Sequence, residues 1–366
     1  MKTGVIILNY HSSDDTIRLY REIESFPGLR RLVVDNSSDS DEASRLRAAI
    51  PARDLLFASE NLGYAGGNNL GIRTLTGIDT RFRPESRLPG STGRALSDLS
   101  EPIGPGDPSD PSDQAEPSDP TKQAGPSNLP EPSNLPEPSD LPEPTDLSEP
   151  EDPGAPSDLD LVAILNPDIS LDQNIFSILR GSFEKNTRLA AAGPRLCIRE
   201  SDQVIYSDGG IFRQKSYLRP GHLNSGKRAV DVADDNRMVD YINGSFLVMR
   251  TEAIRQIGGF DEKFFLYFEE ADWCRRALNQ GWDLEVQTDA VAWQRVSPKE
   301  ETFSYYFFRS WFLYLHHYDK KGIRPLFIHQ MKKIKWLLQS KEIPLGRRLR
   351  LAKSRLHGVV RGALNW

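Results

Sequence analysis

The sequence predicts an α/β fold, a mostly parallel sheet flanked by helices, with one long insertion and a basic helical extension at the C-terminal side. Three observations carry this reading. Short apolar runs recur at Val5–Leu8, Leu32–Val34, Leu55–Phe57 and Leu161–Leu165. Helix-starting signals stand between them, and strands alternating with helices imply parallel pairing through helical crossovers. Between Thr76 and Ser157 the composition turns to proline, serine and acid, which cannot build a core.

The elements follow in order. Val5–Leu8 is the first buried strand, and Ser12 or Ser13 offers the N-cap of a first helix. Leu32–Val34 is the second strand and runs into Asp35-Asn36-Ser37-Ser38. Asp39, with Glu42 three residues on, has the spacing of a capping box with Asp in the cap position. Leu55–Phe57 is the third strand, and Gly63 to Leu75 a glycine-rich turn entering a helix. Leu161–Leu165 is the fourth strand, so the insertion occupies one helix-to-strand crossover, where length costs little entropy. Glu269, Glu270 and Asp272 open a further helix that continues through Arg276.

Within the insertion PSNLPE, PSDLPE and PTDLSE repeat with a six-residue period running to Glu149. A β-helix would need stacked apolar residues and free backbone donors. Only Leu129, Leu135, Leu141 and Leu147 are apolar there, and the prolines remove ladder donors. An extended, disordered acidic spacer is expected instead.

Charge is segregated. Residues 97–160 hold 17 acids and one lysine, whereas residues 320–366 hold 13 Lys or Arg and one acid, Glu342. Such blocks suggest separate partners for separate surfaces. Lys332 to Leu338 and Arg347 to Leu351 mix cations with Trp336 and leucines, which suits an interfacial helix on an anionic membrane. The competing expectation is a helix that packs its leucines on the main domain. Nucleic acid is not expected, because no recognition motif accompanies the charge. Cys197 and Cys274 are the only cysteines and give neither a disulfide framework nor a zinc site, so a reducing cytoplasm is expected. The N-terminus lacks the apolar region of a signal peptide, and no apolar run reaches the roughly 18 residues of a membrane span.

Several clusters suggest chemistry. Asp35-Asn36 follows a buried strand, where open α/β sheets bind ligands; a polar turn is the plainer reading. Glu60–Gly71 brackets a helix start with Asn61, Gly63, Gly66, Asn68 and Asn69, so backbone amides could face a phosphate. Asn166-Pro167-Asp168 places an acid at a strand end, and one carboxylate suits a hard divalent cation shared with two phosphates. Glu269, Glu270 and Asp272 follow the apolar wall Phe264–Phe268. They could simply favour the helix dipole, or an apolar wall could raise a carboxylate toward useful basicity.

Asn9-Tyr10, Val34–Ser37, Asn61–Gly71, Leu165–Asp168, Gly258–Asp261 and Phe264–Asp272 together resemble the family-2 glycosyltransferases of GT-A fold. The match is nearest to the rhamnosyltransferase-like members, and it covers nearly everything except the insertion and about the last 40 residues. The resemblance implies inverting transfer of a sugar from a nucleotide-diphosphate donor, first a thymidine-diphosphate deoxysugar such as rhamnose, second a uridine-diphosphate sugar. The acceptor would be a lipid-linked or polysaccharide hydroxyl in cell-surface assembly, with the enzyme peripheral on the inner membrane face. It implies that Asn9, Asp35, Asn36, Asn61, Gly63, Gly66, Asn68, Asn69, Asn166 and Asp168 bind the donor, with Asp35 on the base. Asp168 would hold a divalent cation, Mg or Mn, and Asn166 stands where a first acid would be. Glu270 would be the catalytic base, in place of the commoner aspartate, supported by Glu269 and Asp272. Gln294 occupies the place of a metal-binding histidine. The resulting division is 1–75, the N-terminal nucleotide-binding part; 76–157, the insertion; 158–319, the rest of the catalytic domain; and 320–366, the basic extension. A non-catalytic sugar-nucleotide-binding or scaffold protein of the same fold is the alternative.

Overall fold

A computed structural model describes residues 1–88, 158–199, 201, 203–213, 217–233, 237–295, 301–340 and 343–364. The repeats and most of the acidic insertion lie outside the described residues. The chain forms β1 (Thr3–Asn9), α1 (Ser13–Glu22), β2 (Leu29–Asp35), α2 (Ser40–Ala49), β3 (Leu55–Phe57) and α3 (Gly63–Thr76) before the insertion. After it come β4 (Leu161–Leu165), β5 (Ile169–Ser170), α4 (Phe176–Lys185), β6 (Leu189–Ile198), β7 (Ile205–Ser207), β8 (Gly210–Arg213) and β9 (Arg219–His222). Then follow β10 (Arg237–Met238), β11 (Phe246–Arg250), α5 (Thr251–Ile257), α6 (Glu269–Asn279), β12 (Asp283–Gln294), α7 (Glu301–Tyr318), α8 (Ile323–Gln339) and α9 (Leu345–Leu364).

The main sheet runs β10-β12-β6-β11-β4-β1-β2-β3, with β5 also on β12 and β7 on β6. Its first half, β4-β1-β2-β3, is parallel. Antiparallel β11 joins this half to the parallel pair β6–β12. Strand β1 shows why the run reads as continuously apolar. Val5 and Ile7 enter one core layer, Ile6 and Leu8 the other, so both faces of the sheet are covered. Helix α3 lies unusually close to that sheet. A Cβ on Gly67 would sit 2.6 Å from Leu8 Cδ1, and one on Gly71 3.0 Å from Ile6 Cδ1.

Local signals were met in part. Asp39 caps α2, its Oδ1 accepting from the amides of Asp41 and Glu42 at 2.8 and 3.1 Å. Glu42 does not close the box; its carboxylate turns to the start of α1 and accepts from the Ser13 amide, the Ser13 hydroxyl and Asn9 Nδ2. A glutamate from the next helix thus caps α1, while Ser12 Oγ donates to Asn9 Oδ1.

One boundary differs from the composition-based division. The insertion was expected from residue 76, yet residues 77–88 pack on the domain. Ile78, Thr80 and Ser86 are buried, the Gly259 amide donates to Thr80 O, and Asn279 Nδ2 donates to Arg87 O. The composition of this segment is polar, but its polar atoms are matched by the 258–261 loop and α6. The basic extension is seated on the domain. Helix α9 packs along α7 through small residues, and a Cβ on Gly358 or Gly362 would lie 2.2 Å from Tyr305 O or 2.7 Å from Arg309 O. Val359 is fully buried in that seam, while Leu345, Leu349, Leu356 and Leu364 stay exposed. Among the described residues no helix is long and apolar enough to cross a membrane.

Candidate active site

The site lies at the carboxyl ends of β1, β2 and β4, where the apolar strands give way to Asn9, Asp35 and Asn166. Asn9 and Asp35 are register partners. Asn9 Nδ2 donates to Asp35 Oδ1 at 2.9 Å, and the same oxygen accepts from the Ser37 hydroxyl and amide at 2.6 and 3.1 Å. Both side chains are almost wholly buried, so the carboxylate is held in one orientation at the sheet edge. Asn36 spends its amide on the neighbouring loop. Its Nδ2 donates to Asn61 Oδ1 and Gly63 O, and its Oδ1 accepts from the Leu62 amide.

The glycine-rich stretch behaves differently from expectation. The Tyr64 and Ala65 amides, which could have faced a phosphate, donate to Phe265 O at 2.7 and 3.3 Å. Gly63 has φ +69°, and a Cβ there would fall 2.5 Å from that same carbonyl, so glycine is required twice over. A Cβ on Gly66 would meet Leu62 Cβ at 2.8 Å. Asn69 is fully used by the 260–262 loop, donating to Phe260 O and Glu262 Oε1 and accepting from the Phe260 amide. Asn68 Nδ2 bonds Tyr64 O, while its buried Oδ1 has no partner among the described residues. The start of α3 is therefore seated on the loop that precedes α6, and it locks two parts of the site together.

That loop presents the acids. Phe265, Tyr267 and Phe268 all have positive φ, 61°, 67° and 73°, a costly conformation for bulky residues. Glu269 and Glu270 follow directly as the first residues of α6. Burial pushes Glu269 well above the usual glutamate range, and the adjacent Glu270 charge raises it further. Burial also raises Glu270, partly opposed by amide hydrogen bonds and by one from Glu269. The buried pair thus resists carrying two negative charges at once, Glu269 more strongly than Glu270. One oxygen of each, Oε2, is buried with no partner among the described residues.

Asp168 is close enough to act on the same phenol, Tyr64, as the two glutamates. Burial raises its carboxyl to about 6; nearby Asp15 adds to the shift, while Arg295 and a hydrogen bond from Gln294 oppose it. Its Oδ1 and Gln294 Oε1 are both buried without partners among the described residues. The two residues come together because β5 pairs with the end of β12, placing Ile169 opposite Gln294. Arg18 fixes the turn by donating to the carbonyls of Pro167 and Ile169. Asn166 Nδ2 donates to Ser245 Oγ at 3.3 Å. An anionic and a neutral oxygen, both lacking partners, fit a hard cation such as Mg or Mn. Among the described residues no group of three or more His, Cys, Asp or Glu could hold a metal alone. A ligand's own oxygens and water would have to complete such a shell.

Tyr64 joins the two acid groups. Its hydroxyl donates to Gly244 O at 2.5 Å. Burial, with Glu269, Glu270 and Asp168 around it, pushes its phenol well above the usual value. A Cβ on Gly244 would lie 3.2 Å from the Tyr64 hydroxyl and 3.5 Å from Glu270 Cγ. Tyr64, Gly244 and Ser245 were not among the residues singled out from sequence; nothing in their spacing marks them. Asp272 is not brought into this group. It is fully buried, facing the other way, with Arg276 Nε at 2.8 Å, Arg87 Nε at 3.0 Å and the Tyr318 hydroxyl at 2.9 Å.

The strand order, with one antiparallel strand joining two parallel halves and acids at the strand ends, is the GT-A architecture. The solved structure of GalNAc-T7 with UDP, GalNAc and Mn2+ shares it, with a TM-score of 0.50 and 9% identity over 98% of this chain and 54% of that chain. Among curated proteins, the chain is 24% identical over 284 residues to the low-salt glycan biosynthesis hexosyltransferase Agl10 of Haloferax volcanii. It is 29% identical over 133 residues to the N-acetylglucosaminyl-diphospho-decaprenol L-rhamnosyltransferase of Mycobacterium tuberculosis. These matches take in 76% and 34% of this chain, and 62% and 43% of the relatives' own lengths. No protein-family model matches the sequence.

Proposed function

We propose that this chain is a glycosyltransferase that moves a sugar from a nucleotide-diphosphate donor to an acceptor hydroxyl by single displacement with inversion. The observation that carries this reading is the gathering of a buried glutamate pair and of Asp168, with Gln294 beside it, around Tyr64, each of the four with an oxygen that has no partner among the described residues. Asp35, fixed by Asn9 and Ser37, holds the donor base at the sheet edge. Glu270 accepts the proton of the acceptor hydroxyl, and protonated Glu269 holds Glu270 in place through its donated hydrogen bond. Asp168 and Gln294 would hold a magnesium or manganese ion, which when bound offsets the charge developing on the departing diphosphate. The relatives' names support the class and make rhamnose our first choice of sugar. The decaprenol-linked acceptor of the mycobacterial relative supports a lipid-linked acceptor here, with the enzyme working at the inner face of a membrane.

The test pairs binding with turnover. Nucleotide sugars plus Mg²⁺ or Mn²⁺ should raise the melting temperature, since a ligand that binds only the folded state stabilises it. Asp168→Ala should abolish both the metal-dependent part of that rise and the turnover. Donor binding by the intact protein with no hydrolysis or transfer would favour the non-catalytic scaffold. Unchanged metal-dependent stabilisation in the Asp168 variant would refute the metal assignment.

A further inference from the structure

We propose that the outward faces of α8 and α9 dock the protein on an anionic lipid surface. The inner face of α9 is occupied, with Ala352, Ser354, Gly358, Val359 and Gly362 all buried. On the opposite side Leu345, Leu349, Leu356, Val360 and Leu364 are 36–58% exposed. At 3.6 residues per turn the first four fall within a sector of roughly 60°, and Lys353 borders it. Helix α8 repeats the arrangement, with Ile328, Lys332, Lys335 and Trp336 exposed on one face. Eight exposed large apolar residues on two packed helices exceed what a solvated surface needs.

Charge decides the occupant. Thirteen Lys or Arg against one acid in residues 320–366 would set like charge against like in a pairing of two copies. An anionic bilayer meets both demands, accepting the apolar ridge at the acyl boundary and the cations at its headgroups. The placement also serves the transfer reading, on which its purpose rests. Helix α7 lies between α9 and the acid-bearing loop; Tyr306 stacks on Phe265 at 5.1 Å, and Phe307 packs on Phe268 at 5.5 Å. A lipid-linked acceptor held at the ridge is therefore one helix away from Glu269 and Glu270.

The test needs no turnover, so it stands or falls apart from the catalytic assignment. The full chain is sedimented with phosphatidylglycerol vesicles and with phosphatidylcholine vesicles. Binding is expected to the former only, and to weaken with salt. Lys332→Glu, Lys335→Glu and Lys353→Glu combined should weaken it by at least about 100-fold, each cation near the surface counting for roughly fivefold. Leu349→Ser, Leu356→Ser and Val360→Ser combined should weaken it by about tenfold or more, with the melting temperature kept. Absence of binding, or equal binding by all three proteins, would overturn the proposal. So would a concentration-dependent dimer abolished by the serine variant, or vesicle binding that emerges only when residues 97–152 are removed.

Discussion

At the scale of single residues the site depends on where one proton resides. Glu269 sits above the usual glutamate range because it is buried beside Glu270, so a neutral amide is a fair copy of its resting state. Glu269→Gln should keep most of the turnover, because the amide still donates to Glu270. Glu270→Gln should lower kcat by roughly 10²–10⁴ while leaving donor binding intact, since it keeps size and removes basicity. Because burial also raises Glu270, kcat/KM should climb with pH through a midpoint above that of an ordinary glutamate. If Glu269→Gln alone causes the large loss, the base has been assigned to the wrong carboxylate. The signals behind these residues differed in strength. Acids at the end of an apolar run were visible in the sequence. The glycines and asparagines of α3 were visible too, but glycine serves close packing as well as ligand approach. In Gly66 and Gly67 the first use prevails.

Among the elements, α6 is the one whose position sets the chemistry. Its first turn carries the glutamate pair, and its buried flank is tied to the segment leading into the insertion. Arg87 bridges Asp261 and Asp272 at 2.6 and 3.0 Å, and Arg276 completes the cluster. Burial pushes Asp272 upward, but Arg276 and Arg87 outweigh it and hold the carboxyl below its usual value. A depressed carboxylate stabilises the fold at neutral pH, and that contribution fades as the pH falls through its folded-state pKa. Arg87→Met leaves two buried carboxylates short of a cation and should cost about 3–5 kcal/mol in urea unfolding. Arg87→Lys should recover part of it. A loss below about 1 kcal/mol, the scale of an exposed pair, would show that the cluster is well screened. This tether could not be read from sequence, because Arg87 and Asp272 meet across 185 positions.

For the whole molecule, the parallel half of the sheet was legible and the mixed half was not. Strands β1 to β4 are β-branched or leucine-rich runs with both faces buried. Strand β6 begins Leu-Ala-Ala-Ala-Gly-Pro, and β12 mixes charges with small residues, so neither carries a clear period. Likewise Tyr64 and Gly244 meet only through tertiary structure, 180 positions apart. The pairing of β1 with β4 has a consequence for how the chain folds. Lys2 and Asp160 are hydrogen-bonded across 158 positions, so the central pair of the sheet closes only after a long search. Replacing residues 89–157 by a short Gly/Ser link, with 77–88 kept, shortens the connection from α3 to β4 about fourfold. Closure cost grows only with the logarithm of length, so equilibrium stability should rise by about 1 kcal/mol. The larger signature should be kinetic. If β1–β4 pairing forms in the rate-limiting step, stopped-flow refolding should quicken by about fivefold while unfolding stays the same. An unchanged refolding rate would place that pairing after the barrier. The insertion would then lengthen the chain without setting the pace at which the sheet is assembled.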